Sequence, residues 1–394
     1  MNKREVVIVS AVRTAIGEYG GSLKDIAPTD LAGLVIREAV QRAEIDSEDV
    51  GHCIIGSVTH SDRKDMYMSR SAALKGGLSV TTPAVTVNRL CGSGLQSIIS
   101  AAQLILLGDC DIAVAGGVES MSRVPYWVPK ARFGIRMGDT NMVDPMVGAL
   151  TCPVNDTHMG ITAENVAEKW NISREEQDAL ALESHKRAEH AINDKRFVEQ
   201  ILPVELKNRK GVTVFEQDEH VRFGSTAEQF SKLLPAFKKD GSVTVGNSSG
   251  INDAAAAIVM MDKSVADAKG LKPMAKLVNY SFAGVEPKHM GIGPVPAIKT
   301  LLEKANLSVD DIDVWEINEA FASQALAVVK DLKIDPAKVN PNGSGISLGH
   351  PIGATGSVIT VKALYELKRT SGKYAVVSMC IGGGQGIASL FECM

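Results

Sequence analysis

The sequence predicts a layered α/β protein made of two similar halves, with a different segment lying between them. Three observations carry this. Short apolar runs that read as buried strands alternate with amphipathic helices. A segment near the start recurs near the end: Arg42-Ala-Glu-Ile-Asp-Ser-Glu-Asp-Val-Gly51 resembles Lys304-Ala-Asn-Leu-Ser-Val-Asp-Asp-Ile-Asp313, a shift of 262 positions. The same shift lays Ser93-Gly94 on Thr355-Gly356 and Ala113-Val114 on Ala375-Val376, so one offset links three separated segments. Finally, 394 residues with 45% apolar and 22% charged side chains can bury a large core, and 36 glycines against 5% aromatics suit tight turns and close packing.

In the first half, residues 6–10 read as a short buried strand and 31–43 as an amphipathic helix. Residues 84–87 form another strand. Residues 94–107 carry Leu95, Ile98, Ile99, Ala102, Ile105 and Leu106 at helical spacing, and Gly108 stops the helix. Residues 111–115 return as a strand ended by Gly116-Gly117. The second half repeats the pattern: helix 297–305, strand 313–317, helix 354–367, strand 374–379. Residues 121–246 are richer in polar and turn-forming residues and hold one clear helix, 174–195. They read as an inserted domain or a long functional loop. The expected division is residues 1–120 with 247–271, the insert 121–246, and 272–394. Within the insert, residues 207–239 hold seven Lys/Arg against four Asp/Glu in a chain of net charge −4. That patch suits an anionic ligand, or is an ordinary solvated surface.

Several functions are set aside at this level. A pI near 6.1 argues against a nucleic-acid binder. The longest uninterrupted apolar run, residues 254–261, is far short of the ~18 residues of a membrane span. The N-terminal apolar stretch is too short and wrongly flanked for a signal peptide. Six dispersed cysteines, Cys53, Cys91, Cys110, Cys152, Cys380 and Cys393, make neither a disulfide framework nor a metal site. The expectation is a cytoplasmic protein with no metal, whose cysteines are by default small buried hydrophobes.

Four short motifs remain. Val87-Asn88-Arg89-Leu90-Cys91-Gly92-Ser93-Gly94 places a thiol where a strand runs into a helix. The helix N-terminus favours thiolate there and the glycines let a substrate approach; the competing reading is a core cysteine. Gly349-His350-Pro351-Ile352-Gly353-Ala354-Thr355-Gly356 occupies the matching turn of the second half. His350 and Cys91 then converge if the halves pack around a pseudo-two-fold; otherwise His350 makes a structural hydrogen bond. Cys380-Ile381-Gly382-Gly383-Gly384-Gln385-Gly386 is too close to the end for a dinucleotide-binding crossover. It reads as a tight turn offering backbone N–H groups beside Cys380, as an oxyanion hole would. Asn318-Glu319-Ala320-Phe321-Ala322 supplies an amide to hold a water or donate to an oxyanion, or simply a helix cap.

Together these motifs, with His158-Met-Gly-Ile-Thr-Ala-Glu and Asn247-Ser-Ser-Gly-Ile-Asn-Asp, resemble the thiolase family along the whole chain, most of all its bacterial broad-specificity β-ketothiolases, the kind that supply polyhydroxyalkanoate precursors. The resemblance implies duplicated βαβαβαββ halves in a five-layered α/β/α/β/α core, with the insert covering coenzyme A. It implies reversible condensation of two acyl-CoA molecules to 3-ketoacyl-CoA and CoA, with Cys91 as nucleophile, His350 as its base and Cys380 moving the α-proton. His350 with a water on Asn318 would form one oxyanion hole, and the N–H groups of Cys91 and Gly382 the other. CoA contacts fall on Leu150, His158, Arg222, Phe237, Ser249, Met290, Ala320 and Phe321. Ser248 stands where the family often has alanine. CoA is then substrate and product, with no permanently bound cofactor. By the same resemblance the assembly is a homotetramer, with residues 123–144 as its contact. Two rivals share the fold: ketoacyl synthases, which lack a counterpart of Cys380, and non-catalytic lipid carriers, which should have lost Cys91, His350 or Cys380.

Overall fold

The computed structural model describes residues 4–208 and 211–394. The first half opens with β1 (Val6–Thr14), buried along almost its whole length, and α1 (Pro28–Arg42). Pro28 begins that helix, where a missing N–H loses nothing. There follow β2 (His52–Gly56), α2 (Met68–Lys75), β3 (Ala84–Val87), α3 (Ser93–Leu107) and β4 (Ile112–Ser120). Gly108 closes α3 in the left-handed conformation, φ +83°. The intervening segment holds α4 (Met159–Lys169) and α5 (Arg174–Asn193), and β5 (Asn252–Asp262) then completes the first sheet. The second half runs β6 (Ala275–Gly284), α6 (Pro294–Ala305), β7 (Val314–Ile317), α7 (Ala322–Leu332), α8 (Thr355–Thr370), β8 (Tyr374–Ile381) and β9 (Gln385–Cys393).

The duplication is visible in strand order. The first sheet is β1-β5-β4-β2-β3 and the second β6-β9-β8-β7. In each, a parallel pair (β2 with β4, β7 with β8) is followed, toward the junction of the two sheets, by two antiparallel pairings. A single bridge from Val339 to Trp315 stands where β3 lies in the first half. A short ladder, Val7 on Lys276 and Ile8 on Ala275, joins β1 to β6, so the two sheets run on as one.

Side-chain alternation sorts the layers. Ala375, Val377, Met379 and Ile381 of β8 face a core shared with α3 and α8, whereas Val376 faces the core built with α6 and α7. Ile387 and Phe391 of β9 divide from Ala388 and Leu390 in the same way. Helices α3 and α8 therefore form a middle layer between the sheets, α1 and α2 cover one outside face, and α6 and α7 the other.

The middle helices meet at their N-terminal ends. A Cβ on Gly94 would come 2.6 Å from the Ser357 nitrogen, and one on Gly356 2.2 Å from the Leu95 nitrogen. Neither position has room for a side chain. These two glycines are related by the shift of 262 positions seen in the sequence. Their contact brings the turn before α3 and the turn before α8 to one place.

Three expectations need correction. Gly116 and Gly117 do not end a strand; β4 continues to Ser120. Their side chains are missing for close approach: a Cβ would lie 2.2 Å from the Ala256 carbonyl and 2.4 Å from that of Gly353. The insert also holds more than one helix, because α4 begins on His158 and Gly160, poor helix signals that are set by packing against Phe237. The third correction concerns hydropathy. Residues Leu90–Leu107 form an 18-residue window of mean hydropathy 1.6, the composition of a membrane span. Serines and glutamines interrupt it, so a search for unbroken apolar runs passes over it. In the fold this window contains α3 of the middle layer.

Candidate active site

The turn into α3 is built by its own polar side chains. Asn88 accepts the Leu90 N–H at 2.9 Å, and Ser93 accepts the Arg89 N–H at 2.9 Å while donating to the Leu90 carbonyl at 2.7 Å. Leu90 is held at φ +47°, an unusual conformation for a branched side chain. Cys91 follows, just before the capping Gly92, and is half-buried. Burial pushes its thiol up to about 11; the N–H of Gly382 and its own N–H pull the other way, and the charge of Glu119 adds to the rise. The resting group is therefore a thiol. The helix start alone was expected to favour thiolate, and desolvation outweighs it.

Cys380 lies at the end of β8 and is buried. Burial, and then the neighbouring Cys91, push its thiol well above the ordinary range. The chain turns back at Gly382–Gly384, where Gly383 and Gly384 have φ of +83° and +86°. The side chains of Leu90 and Met159 flank Gly382. Cys91, Cys380 and Gly382 thus form one group.

His350 is 5% exposed. Gly349 before it has φ +109°, and a side chain there would overlap Asn252. The Asn252 side-chain Oδ1 accepts the His350 backbone N–H at 2.9 Å, and Nδ1 of the ring lies 2.7 Å from the Thr355 hydroxyl. Burial pulls the imidazole down to about 4, so it is neutral at ordinary pH. Asn318 places its Nδ2 3.4 Å from both ring nitrogens. Its buried Oδ1 has no partner among the described residues. The Asn318 N–H donates to Ser378 on β8 at 3.0 Å, two residues before Cys380. That bond and the Gly94–Gly356 crossing tie the histidine–asparagine group to the cysteine group.

The residues expected at coenzyme A fall into two places. Met290, Ala320, Phe321 and Phe237 pack in one cluster with Cys380 and Met159. His158 stacks on Phe237 with ring centroids 5.0 Å apart, and Phe237 meets Phe321 edge-on. Ser249 donates its N–H to Ala320 at 2.9 Å, and Leu150 accepts that of Met159 at 2.8 Å. Ser248 bridges to Phe321. Arg222 stands apart, exposed, lining a cavity of about 250 Å³ with Phe223, Ser225, Gln229, Phe230 and Leu233. Its backbone is fixed by a bond to Nδ1 of the buried His185. Of the other charges in the basic stretch, Lys232 pairs with Glu228, Lys238 with Glu168, and Asp218 with the buried Arg13, while Arg209 and Lys210 lie outside the described residues.

Sequence reasoning passed over Glu119 and Asn252. Glu119 is fully buried and accepts from the N–H groups of Val58, Thr59 and Gly353 and from the Thr59 hydroxyl. It binds the loop after β2 to the turn that carries His350. Burial raises its carboxyl to about 7 against those bonds. Its partners lie 60 or more positions away in sequence, so no local pattern marks it.

The comparisons with known proteins agree along the whole chain. The family model of the thiolase N-terminal domain matches residues 6–264, and that of the C-terminal domain residues 271–393. The chain is 62% identical over 390 residues to beta-ketothiolase BktB of Cupriavidus necator, covering 99% of each. It is 48% identical over 391 residues to acetyl-CoA acetyltransferase of Escherichia coli, again covering 99% of each. Human mitochondrial 3-ketoacyl-CoA thiolase in complex with CoA superposes with a TM-score of 0.96 at 44% identity, covering 99% of this chain and 98% of that one. With both domain models matched in order and relatives this similar over their full length, the chain belongs to the thiolase family and is an acyltransferase.

Proposed function

We propose that the protein catalyses the reversible cleavage of 3-ketoacyl-CoA by CoA, through an acyl group carried on Cys91. The observation that supports this most is the pairing of two protonated thiols, one under the Gly382 N–H, with a neutral histidine and an asparagine oxygen left free. Cys91 passes its proton to His350, and the thiolate attacks the keto carbon. The N–H groups of Cys91 and Gly382 stabilise the oxyanion of that adduct. Collapse of the adduct breaks the C2–C3 bond and leaves the electron pair on C2. Cys380 delivers its proton to C2, while His350 and a water on Asn318 stabilise the enolate oxygen. The proton on His350 restores Cys380. Free CoA then gives its proton to His350 and attacks the thioester, releasing acyl-CoA, and Cys91 recovers that proton. The reverse sequence is condensation. CoA is substrate and product, and none of these steps calls for a resident cofactor. Arg222 and its cavity suit the adenine end, since a planar cation stacks on a flat ring. The apolar cluster around Phe237 and Met290 suits the pantetheine arm and acyl group.

The test is loss of acetoacetyl-CoA absorbance on adding CoA, followed across C4 to C8 substrates. Activity is expected, and its absence would leave a binding protein. The protonation states add a pH signature. A base neutral down to about 4 keeps its lone pair in mild acid. Single-turnover acylation by acetoacetyl-CoA is therefore expected to hold its rate from pH 8 to about 5 and to fall only as His350 protonates. An acid limb near the ordinary histidine value of about 6.5 would contradict a buried neutral base.

We also read residues 123–144 as a contact between copies in a homotetramer. Tyr126, Trp127, Phe133 and Met137 are exposed there, Phe133 by 89% and Met137 by 97%, and this apolar surface is suited to being covered by a second copy.

A further inference from the structure

We propose that Thr355 is the positioning residue that sets which nitrogen of His350 acts as base. The inference rests on the reading of His350 as the base of Cys91. A neutral imidazole carries one N–H, and only the other nitrogen can take a proton. His350 is neutral and nearly fully buried, so solvent does not average its two tautomers. The choice lies with its partners.

The Thr355 hydroxyl lies 2.7 Å from His350 Nδ1 and 2.9 Å from the carbonyl oxygen of Pro351, four residues back. The Pro351 oxygen also receives the N–H groups of Ala354 and Thr355, each at 2.8 Å, and as a carbonyl it can only accept. The hydroxyl has a single proton. If that proton pointed at Nδ1, the Thr355 and Pro351 oxygens would face each other as two acceptors at bonding distance. If it points at Pro351, the usual back-bond of a helical threonine, both contacts are attractive. The hydroxyl oxygen then accepts, and Nδ1 must carry the imidazole N–H. Nε2 is left with the free lone pair.

The Asn318 Nδ2 lies 3.4 Å from both ring nitrogens and so does not distinguish between them; the choice rests on Thr355. Thr355 is itself the first residue of α8, and the positive end of that helix opposes a charge on the ring. When Cys91 gives its proton to Nε2, the ring becomes a cation, and its Nδ1–H bond to Thr355 becomes charge-assisted. The threonine therefore acts twice, by selecting the base nitrogen and by holding the ring while it is charged.

The experiment compares Thr355→Val, which keeps the branched shape and removes the hydroxyl, with Thr355→Ser, which keeps the hydroxyl. Single-turnover acylation by acetoacetyl-CoA is expected to slow by about 10- to 100-fold in the valine variant, as when a histidine loses its orienting partner. The serine variant should recover most of the rate, and KM should change little in either. Introduced beside His350→Asn, Thr355→Val should add no further loss. Equal impairment by serine and valine, or an undiminished valine variant, would overturn the proposal. So would a full additional loss in the His350→Asn background. Full activity in His350→Asn alone would instead overturn the reading of His350 as base. If the valine variant does not fold, nitrogen-15 NMR of histidine-labelled wild-type enzyme decides the matter. The His350 resonance, assigned by its loss in His350→Asn, should show the Nδ1–H form, and the Nε2–H form would overturn it.

Discussion

Cys91→Ser enzyme mixed with radiolabelled acetyl-CoA is expected to carry no label, and its thiolysis rate should fall by about 10⁴-fold or more. The reason lies in the surroundings of the sulfur. Burial already raises the thiol to about 11, and only a neutral histidine is at hand to remove its proton. A serine hydroxyl is a far weaker acid, so the same base in the same dry site cannot ionise it. The Gly382 N–H and the oxyanion geometry are untouched by the change, which isolates the nucleophile. Peptide mass spectrometry of the acylated wild-type enzyme should find the acetyl group on Cys91. A label on Cys380 or any other cysteine would reverse the assignment, and retained turnover in the serine variant would remove the covalent step.

Cys380→Ser should separate two steps that wild-type enzyme runs together. Transfer of acetyl from acetyl-CoA to Cys91 and back needs no carbon acid, so label exchange should persist near the wild-type rate. Condensation and thiolysis both move a proton at C2 and are expected to drop by about 10²- to 10⁴-fold, the usual range for a general acid–base. Cys91 contributes, after burial, to the elevation of Cys380. Equal loss of exchange and condensation would show that Cys380 supports the acyl step as well, and the division of labour would fail.

Much of the fold was legible because the duplication leaves the central helices in register. Ser93 and Thr355 both start their helices, and Ile112 and Tyr374 both start the strands that follow, each pair separated by the same shift. Strand ends were less legible. Gly116 and Gly117 look like a stop signal, and only the neighbouring backbone of Ala256 and Gly353 shows that they thin the strand for close packing. Within the site, the motifs marked the residues that sit on glycine-rich turns. They gave no role to those that hold the turns from a distance: Asn252 beneath Gly349, although it lies within the Asn247–Asp253 motif, and Glu119, outside every motif, spanning from Val58 to Gly353. Such bonds join segments far apart in the chain, and a single sequence carries no local trace of them. Charge state was the other gap. A helix start argues for thiolate, and the opposing desolvation exists only once the halves have closed over Cys91.

The middle layer also bears on how the protein is made. Helix α3 is apolar enough to pass for a membrane segment, and its counterpart across the layer is α8. The ribosome completes α3 at Leu107 and does not begin α8 until Thr355. That is roughly 250 residues later, and at about 5–20 residues per second the interval is on the order of 12–50 s. Throughout it the nascent first half displays a greasy face that has no native cover. The glycine crossing closes only when the last stretch of chain arrives. Until then the side of α3 that meets α8 lacks its native partner, and a chain cut short before Thr355 never supplies it.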